Sequence, residues 1–355
     1  MSNTFFTLNV KNVNRLTADT VSVSFDLSDD QKANFNFIPG QYLTLKTTLG
    51  GEEVRRSYSI CTAPYENEVA VAVKEIENGL FSTFANKTLK AGDQLEVMAP
   101  MGNFKITPNA ENSKNYIFYA AGSGITPIIS MVKSVLREEP SSNVQLYYGN
   151  KNSDSTIFKS QLDELNSEYI NFNLNFIYSQ QDTGNDLTNG RINAAKCERF
   201  FEKSQDNITI DGVYACGPEA MIMSIKDFYT DKGINKDKIH FELFTAAVPS
   251  ESATEVASGE PVQSQVTVIL DDETFEFSLN TAGKDILQAA QDQDADVPFS
   301  CKGGVCCTCR AKLIEGTVKM DLNFALEEDE VADGFILTCQ SHPTSEKVVV
   351  SYDEY

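Results

Sequence analysis

The first hundred residues alternate apolar and polar side chains with a period of two. Three segments show this most clearly: VSVSFDL (21–27), QYLTLKT (41–47) and EVAVAVKEI (68–76). This period predicts strands that bury one face, and turn signals such as Pro39-Gly40 separate them. Short strands divided by turns predict an antiparallel β-barrel domain over residues 1–108.

The pattern changes near residue 112. An apolar run, YIFYAA (116–121), predicts a buried strand, and PIISMVKSVL (127–136) has its apolar residues at helical spacing. Further strands are predicted at 144–149, 173–178 and 212–217, with helices around 157–165 and 218–229. Because strands and helices alternate, residues 109–245 are predicted to form an α/β domain with a parallel sheet.

The last part of the chain begins after a stretch of small and polar residues. Residues 246–262 have linker composition. In the domain predicted over 263–355, QVTVIL and ETFEFSL indicate a hairpin around Asp271-Asp272, and a helix is expected near DILQAAQDQ. A loop rich in cysteine follows this helix.

Charge and composition exclude several classes of function. The chain has 355 residues with a net charge of −22, so it offers no basic stripe to nucleic acid. No stretch approaches the roughly 20 apolar residues of a membrane span, and the N-terminus does not resemble a signal peptide. We therefore expect no membrane insertion and a cytoplasmic location.

The negative charge is concentrated towards the C-terminus. Residues 262–355 contain 18 Asp and Glu against 6 Lys and Arg, a net −12 from about a quarter of the length. Two interpretations are open: a solvated acidic surface that aids solubility, or a docking face for a basic partner protein.

Five of the eight cysteines lie in this C-terminal domain. Cys301, Cys306, Cys309 and Cys339 have the spacing C-x4-C-x2-C followed by a distant fourth cysteine, which is the plant-type [2Fe–2S] pattern. Four thiolates also bind zinc, but zinc ribbons usually have two C-x2-C knuckles and this chain has one. The spacing therefore favours iron–sulfur, with Cys307 as a bystander.

A short motif in the first domain has the residue types that a flavin needs. Tyr58 offers a flat partner for the ring, Ser59 a hydrogen-bond donor and Arg56 a cation for phosphate. The segment from Gly79 to Ser82 predicts a helix start with free amides for a pyrophosphate. Taken alone, R-x-Y-S also fits an ordinary strand.

Two motifs in the second domain indicate a nucleotide. The first spans Gly122 to Pro127, with Thr126 as the predicted N-cap and Pro127 as the first helical residue. A dinucleotide fingerprint would have glycine at 127. The second motif, Cys216-Gly217-Pro218, lies between a predicted strand and helix.

Together these motifs resemble the ferredoxin–NADP reductase family of flavin reductases, with a C-terminal [2Fe–2S] ferredoxin domain of β-grasp fold. The resemblance implies an FAD site, with FMN as the alternative, and a nicotinamide site, with Tyr58, Ser59 and Cys216 as catalytic residues. The implied flavin contacts are Arg56, Tyr58, Ser59, Gly79, Ser82 and Phe244. The implied nucleotide contacts are Gly122, Gly124, Thr126, Pro127, Lys151, Cys216, Gly217 and Pro218.

The implied activity is transfer of electrons from NAD(P)H through FAD and the cluster to a terminal oxygenase or another redox acceptor protein. The leading acceptor is a phenylacetyl-CoA epoxidase. A fatty-acid desaturase and another multicomponent oxygenase are alternatives, and a zinc-containing, non-enzymatic binding protein is a remote one. Lys151 favours NADPH over NADH, because a cation would meet the 2′-phosphate.

Overall fold

The computed structural model describes residues 4–204, 209–244 and 263–354. These residues form two compact units, Thr4–Leu243 and the described residues from Phe244 onward. The predicted linker, 246–262, lies outside the described residues, and the domain boundaries within the chain stay predictions. No described helix is long and apolar enough to cross a membrane.

The first sheet has six antiparallel strands, in the order β4-β3-β6-β1-β2-β5. They are β1 Phe5–Thr17, β2 Thr20–Asp26, β3 Tyr42–Leu49, β4 Glu52–Ser59, β5 Ala70–Lys74 and β6 Gln94–Met98, with helices α1 Asp29–Lys32 and α2 Leu80–Lys87. A bridge between Ile60 and Val71 joins the two ends of the order. The alternating apolar residues meet in a core inside this sheet, as the period of two predicts.

The second sheet has five parallel strands, in the order β11-β10-β7-β8-β9. They are β7 Asn115–Ala121, β8 Asn143–Asn150, β9 Phe172–Tyr178, β10 Gly212–Cys216 and β11 Ile239–Glu242. The helices are α3 Ile125–Glu138, α4 Lys159–Glu168, α5 Ala194–Ser204 and α6 Glu219–Asp231. The strand order reverses between β7 and β10, and the carboxyl edge at such a switch point is where open α/β sheets bind ligands.

The second unit is built around another sheet, in the order β13-β12-β18-β14-β16. Its strands are β12 Gln263–Leu270, β13 Glu273–Asn280, β14 Arg310–Glu315, β16 Phe335–Leu337 and β18 Lys347–Ser351. A small sheet pairs β15 Val318–Met320 with β17 Ser341–Pro343, and the helices are α7 Ile286–Gln291 and α8 Glu328–Ala332. The predicted hairpin is confirmed as β12–β13.

Candidate flavin, nicotinamide and cluster sites

Strand β4 carries the predicted flavin residues at its end. Arg56 and Tyr58, two positions apart, share one face of the strand. Arg56 is exposed, and Tyr58 is half-buried with its ring 5.5 Å from that of Phe81 on α2. Burial raises the pKa of Tyr58 well above its ordinary value, so the phenol stays neutral. An exposed cation beside a neutral aromatic ring fits the phosphate and the ring of a flavin.

The turn before α2 agrees in part with the predicted phosphate site. Gly79 is the N-cap residue of α2, and first-turn amides of a helix have no acceptor inside the helix. The buried Ser82 hydroxyl donates to the Gly79 carbonyl at 3.3 Å and accepts from the Ile76 amide at 3.2 Å. Ser82 therefore shapes the turn, and its contact with a phosphate stays a prediction.

The loop after β7 differs in detail from the sequence prediction. Residues Gly122–Gly124 form a 3-10 turn, and α3 begins at Ile125 with Gly124 as its N-cap. Placing the N-cap at Thr126 was therefore wrong by two residues. The cause is Gly122, whose φ of 55° turns the chain out of the strand early. The Thr126 hydroxyl instead donates to the Ser123 carbonyl at 3.0 Å.

This loop lies against the end of β10. A Cβ atom on Gly124 would lie 2.1 Å from the Cys216 carbonyl oxygen, whereas one on Gly122 would meet nothing within 4 Å. Gly124 thus permits the two loops to touch, and Gly122 leaves room for a ligand. Strands β7 and β10 are paired in parallel, so Gly122 and Cys216-Gly217-Pro218 lie together at the carboxyl edge, at the switch point of the sheet.

The Cys216 side chain is fully buried at this edge. Burial raises the pKa of its thiol well above the ordinary value, and the nearby Glu242 carboxylate raises it further. A neutral thiol is a poor nucleophile, so a covalent role is unfavourable. The position suits packing against a nicotinamide, which is the role that the resemblance implies.

One functional candidate was missed in the sequence. Glu242 is the register partner of Cys216 on β11, and its Oε2 accepts a hydrogen bond from Ser59 Oγ at 3.3 Å. Burial raises the pKa of Glu242 to about 8, while the Ser59 hydrogen bond acts in the opposite direction. The carboxyl is therefore mostly protonated at neutral pH. The sequence signal that could have identified Glu242 is an acidic residue inside the largely apolar segment HFELF.

The structure brings the four predicted cluster ligands together. The Cys301 and Cys306 sulfurs lie 3.1 Å apart, and the Cys339 thiol reaches both Cys301 and Cys309. Hydrogen bonds from the Cys306 and Cys339 thiols, with backbone amides of the loop, lower the pKa of Cys301. No group of three or more His, Cys, Asp or Glu side chains among the described residues has the geometry to hold a single metal ion.

The surroundings of these sulfurs fit a cluster held by thiolates. The Gly303 amide donates to the Cys301 sulfur at 3.3 Å, and Gln340 Nε2 lies 3.6 Å from the Cys339 sulfur. Such N–H donors stabilise negative charge on sulfur. Cys307 points elsewhere, because its thiol donates to the Ala325 carbonyl at 3.1 Å inside the core. This agrees with its interpretation as a bystander.

Two predicted residues lie at the margins of these sites. Lys151 follows β8, is exposed, and accepts at its carbonyl from the Gln180 amide at 2.8 Å. It therefore lies beside the end of β9, and its contact with a 2′-phosphate stays a prediction. Phe244 follows β11 and its side chain is 39% exposed, so its contact with the flavin stays a prediction.

Three domain families match successive parts of the chain. Residues 7–106 match "Oxidoreductase FAD-binding domain", residues 118–227 match "Oxidoreductase NAD-binding domain", and residues 268–344 match "2Fe-2S iron-sulfur cluster binding domain". These matches confirm the predicted cofactors at the level of domains. They also agree with the sheets and the cysteine loop.

Relatives share this order over nearly their whole length. The chain is 39% identical to a component protein of the 1,2-phenylacetyl-CoA epoxidase of Escherichia coli, over 99% of this chain and 98% of the relative. It is 33% identical to the ferredoxin reductase component of 3-ketosteroid-9-alpha-monooxygenase of Mycobacterium tuberculosis, over 93% and 90%.

Among solved structures, phthalate dioxygenase reductase matches with a TM-score of 0.59 and 26% identity, over 98% of both chains. That protein is described as a modular structure for electron transfer from pyridine nucleotides to [2Fe–2S]. Fold, domain order and sequence all agree. The chain therefore belongs to the family of ferredoxin–NADP reductase-type oxygenase reductases, which combine FAD-binding, NAD-binding and [2Fe–2S] domains.

Proposed function

We propose that this oxidoreductase supplies electrons from NADPH to an oxygenase of the phenylacetyl-CoA epoxidase type. The single observation that carries the proposal is the 39% identity, over 99% of the chain, to the Escherichia coli protein named for that epoxidase. The identity spans all three cofactor domains rather than one. A cytoplasmic location fits it, because a reducing compartment keeps cysteines free to ligate a cluster.

Each predicted side chain has a role in this proposal. Bound FAD would accept the hydride and release electrons singly to the cluster. Tyr58 would pack on the flavin and Arg56 would neutralise its phosphate. The Ser59 hydroxyl has one proton, which it donates to Glu242 in this structure; with flavin bound it would turn that proton to the flavin and accept from the protonated Glu242 carboxyl instead. Cys216 keeps the nicotinamide in place, and the Glu242 carboxyl holds a proton at the Ser59 hydroxyl.

The cluster ligands in the proposal are Cys301, Cys306, Cys309 and Cys339. Their mutual contacts, and the amides directed at their sulfurs, support this assignment. A variant with Cys309→Ser should retain the yellow flavin but lose iron and the iron–sulfur absorbance. The matched control is Cys307→Ser, which should retain both. Equal iron loss in the two variants would contradict the assignment.

The preference for NADPH is tested through Lys151. Replacement by glutamate should lower the ratio of kcat/KM for NADPH to that for NADH by about tenfold or more, because a contact with the 2′-phosphate contributes roughly 1.4 kcal/mol or more. Lys236→Glu, an exposed lysine just before β11, is the control. If the ratio of kcat/KM values did not change, Lys151 would not contact the 2′-phosphate of NADPH.

The acceptor is tested by reconstitution. The full chain is combined with the oxygenase component of a phenylacetyl-CoA epoxidase, phenylacetyl-CoA and NADPH, and formation of the epoxide is measured. A parallel reaction uses a 3-ketosteroid oxygenase, because the 33% identity to its reductase makes it the second candidate. We expect efficient coupling only with the epoxidase. Better coupling with the steroid oxygenase would make that oxygenase the leading candidate for the acceptor.

A further inference from the structure

Helix α3 presents a row of polar side chains to the β-barrel. Ser130, Lys133 and Arg137 follow the spacing i, i+3, i+7 and therefore share one helix face. The rest of this face is apolar and packs with barrel residues in one continuous core. Polar groups inside such a contact fix the orientation of the helix on the barrel, because hydrogen bonds are directional whereas apolar contact is not.

All three side chains meet one short loop of the barrel, residues 62–66. Ser130 Oγ donates to the Thr62 carbonyl at 2.6 Å. Lys133 Nζ lies 3.0 and 3.1 Å from the two carboxylate oxygens of Glu66. The Arg137 guanidinium lies 6.0 Å from the centre of the Tyr65 ring.

The lysine of the ion pair in this row is enclosed, whereas its partner Glu66 keeps 30% of its side chain exposed. Lys133 is only 7% exposed, and Glu66 Oε2 also accepts from the Ala63 amide at 2.6 Å. Replacing a buried ion pair by apolar residues is often neutral for stability. The better-attested use of such pairs is to fix one register among several packings. Fixing the position of α3 on the barrel is such a task.

The two ends of this contact lead directly to the two nucleotide sites. The loop starts three residues after Ser59 on the flavin side, and α3 starts at the Gly122–Gly124 turn on the nicotinamide side. Any shift of α3 along the loop therefore changes the separation of the two sites. Transfer between bound groups is sensitive to such shifts, since a misplacement of ~1 Å can cost about a hundredfold in rate.

We propose that the Ser130–Thr62 and Lys133–Glu66 contacts form a positioning clamp that sets the distance between nicotinamide and flavin for hydride transfer. The proposal rests on the proposed function for its catalytic consequence. In the proposal, Lys133 and Glu66 touch neither cofactor. They act by holding the backbone of α3 and of the loop 62–66 in place. They are positioning residues, and the contacts predict a defect in rate rather than in nucleotide binding.

The test uses the cofactor-loaded full chain with Lys133→Met and Glu66→Gln combined. The limiting rate of flavin reduction at saturating NADPH, and separately NADH, should fall about 10- to 100-fold. The dissociation constant of the nucleotide should change less than about twofold. The single variant Lys133→Arg keeps a cation for Glu66. It should therefore retain much of the limiting rate that the double variant loses. The pair Lys159–Asp163 on α4, whose side chains are 36% and 48% exposed, is changed to Met and Asn as the matched control.

Hydrogen–deuterium exchange provides a readout that does not depend on turnover. Without nicotinamide, amides in 62–66 and in the first half of α3 should exchange faster in the double variant, while amides of β12 and β13 should not change. An unchanged limiting rate, an equal loss in the control pair, or unchanged exchange would each overturn the clamp. If the unmodified chain reduces its flavin with neither nicotinamide, the proposed function fails, and exchange alone decides whether the clamp exists.

Discussion

Glu242 links two parts of the structure through a single side chain. It belongs to the parallel sheet, yet its hydrogen-bond partner Ser59 belongs to the barrel and lies 183 positions earlier. A pairing across such a separation leaves no periodic signal in the sequence. A protonated carboxyl at this point can hold a proton next to the Ser59 hydroxyl, which is the proposed flavin contact.

The raised pKa of Glu242 predicts the sign of a pH effect. Its folded-state pKa is about 8, above the ordinary 4.5, so its favourable contribution is present at low pH and is lost as pH rises from about 4.5 to about 8. The free energy of unfolding relative to Glu242→Gln should therefore decline over this window, by at most about 1.4 kcal/mol per pH unit. Urea titrations at several pH values measure it.

The control for this experiment is Glu164→Gln, an exposed acid on α4. Its difference from the unmodified chain should not decline over the same window. In addition, an infrared band of a protonated carboxylic acid should be present in the unmodified chain at pH 7 and absent in Glu242→Gln. A flat stability difference together with no such band would show that the carboxyl is ionised.

Gln340 lies beside the proposed cluster ligands. Its Nε2 contacts the Cys339 sulfur at 3.6 Å, the Cys339 carbonyl at 2.7 Å and the Lys302 carbonyl at 3.2 Å. A donor to a ligand sulfur favours the more negative, reduced cluster. Gln340→Met should therefore lower the reduction potential of the cluster, by tens of millivolts if the bond contributes ~1 kcal/mol.

Spectroelectrochemical titration of the cluster absorbance measures this shift. The control is Gln293→Met, an exposed glutamine after α7, which should leave the potential unchanged. A potential that rises in Gln340→Met, or that shifts equally in both variants, would exclude the proposed hydrogen-bond effect.

At the level of elements, strands were easier to predict than helix ends. Alternation over 21–27 and 41–47 located β2 and β3 closely, because a half-buried strand leaves its period in the sequence. The start of α3 was wrong because a positive φ at Gly122, which the residue type alone does not reveal, moves the helix two residues earlier. Helix α5 was missed although Cys197, Phe200 and Phe201 have helical spacing.

The grouping of the four cysteines was predictable for a different reason. Three of the four lie within nine residues of each other, so their spacing alone carries the geometry of one tight loop. The contacts between α3 and the loop 62–66 join residues about seventy positions apart. No sequence feature of Ser130 or Lys133 identifies its partner in the loop. The partners are visible only in the packed structure.

The β12–β13 hairpin supports a prediction about its turn. Asp271 and Asp272 have φ values of 52° and 64°, the left-handed pair that a two-residue hairpin turn requires and that Asn-Gly adopts best. Asp271→Asn with Asp272→Gly should raise the free energy of unfolding of this unit by about 0.5–1 kcal/mol. Urea unfolding followed through the iron–sulfur absorbance measures it.

Asp353 provides the opposite test at the same turn. Its two carboxylate oxygens accept from the Asp271 and Asp272 amides at 2.8 and 3.0 Å. Asp353→Ala should destabilise the unit by about 1–2 kcal/mol, because two charge-assisted bonds are lost at an exposed site. If both changes at the turn and at Asp353 leave unfolding unaltered, the hairpin does not limit the stability of this unit.

At the scale of the molecule, the distribution of acidic residues indicates where a partner protein would dock. The acidic run 327–330 opens α8, which packs on β16 at one edge of the sheet. Just before it, Ala325 accepts a hydrogen bond from Cys307 of the cysteine loop. The acids therefore lie close to the proposed cluster ligands, and a basic partner attracted by them would meet the cluster at short range.

Two charge-matched variants on opposite edges of this sheet test the docking surface. The first changes Glu328, Asp329 and Asp333 to their amides on the α8 side. The second changes Asp272 in the hairpin turn, and Glu273 and Glu276 on β13, to their amides; β13 is the other edge strand. With basic cytochrome c as acceptor, the α8 variant should raise the KM about three- to tenfold and weaken its dependence on salt, whereas the β13 variant should change both little.

Ferricyanide, a small acceptor, separates docking from internal electron transfer. Its reduction should proceed at similar rates in both variants, because neither alters the residues proposed to hold flavin, nicotinamide or cluster. Equal effects of the two variants on cytochrome c would mean that total charge, and not the α8 edge, attracts the partner. An effect confined to α8 would place the acceptor at the edge next to the cysteine loop, where electrons leave the protein in the proposed function.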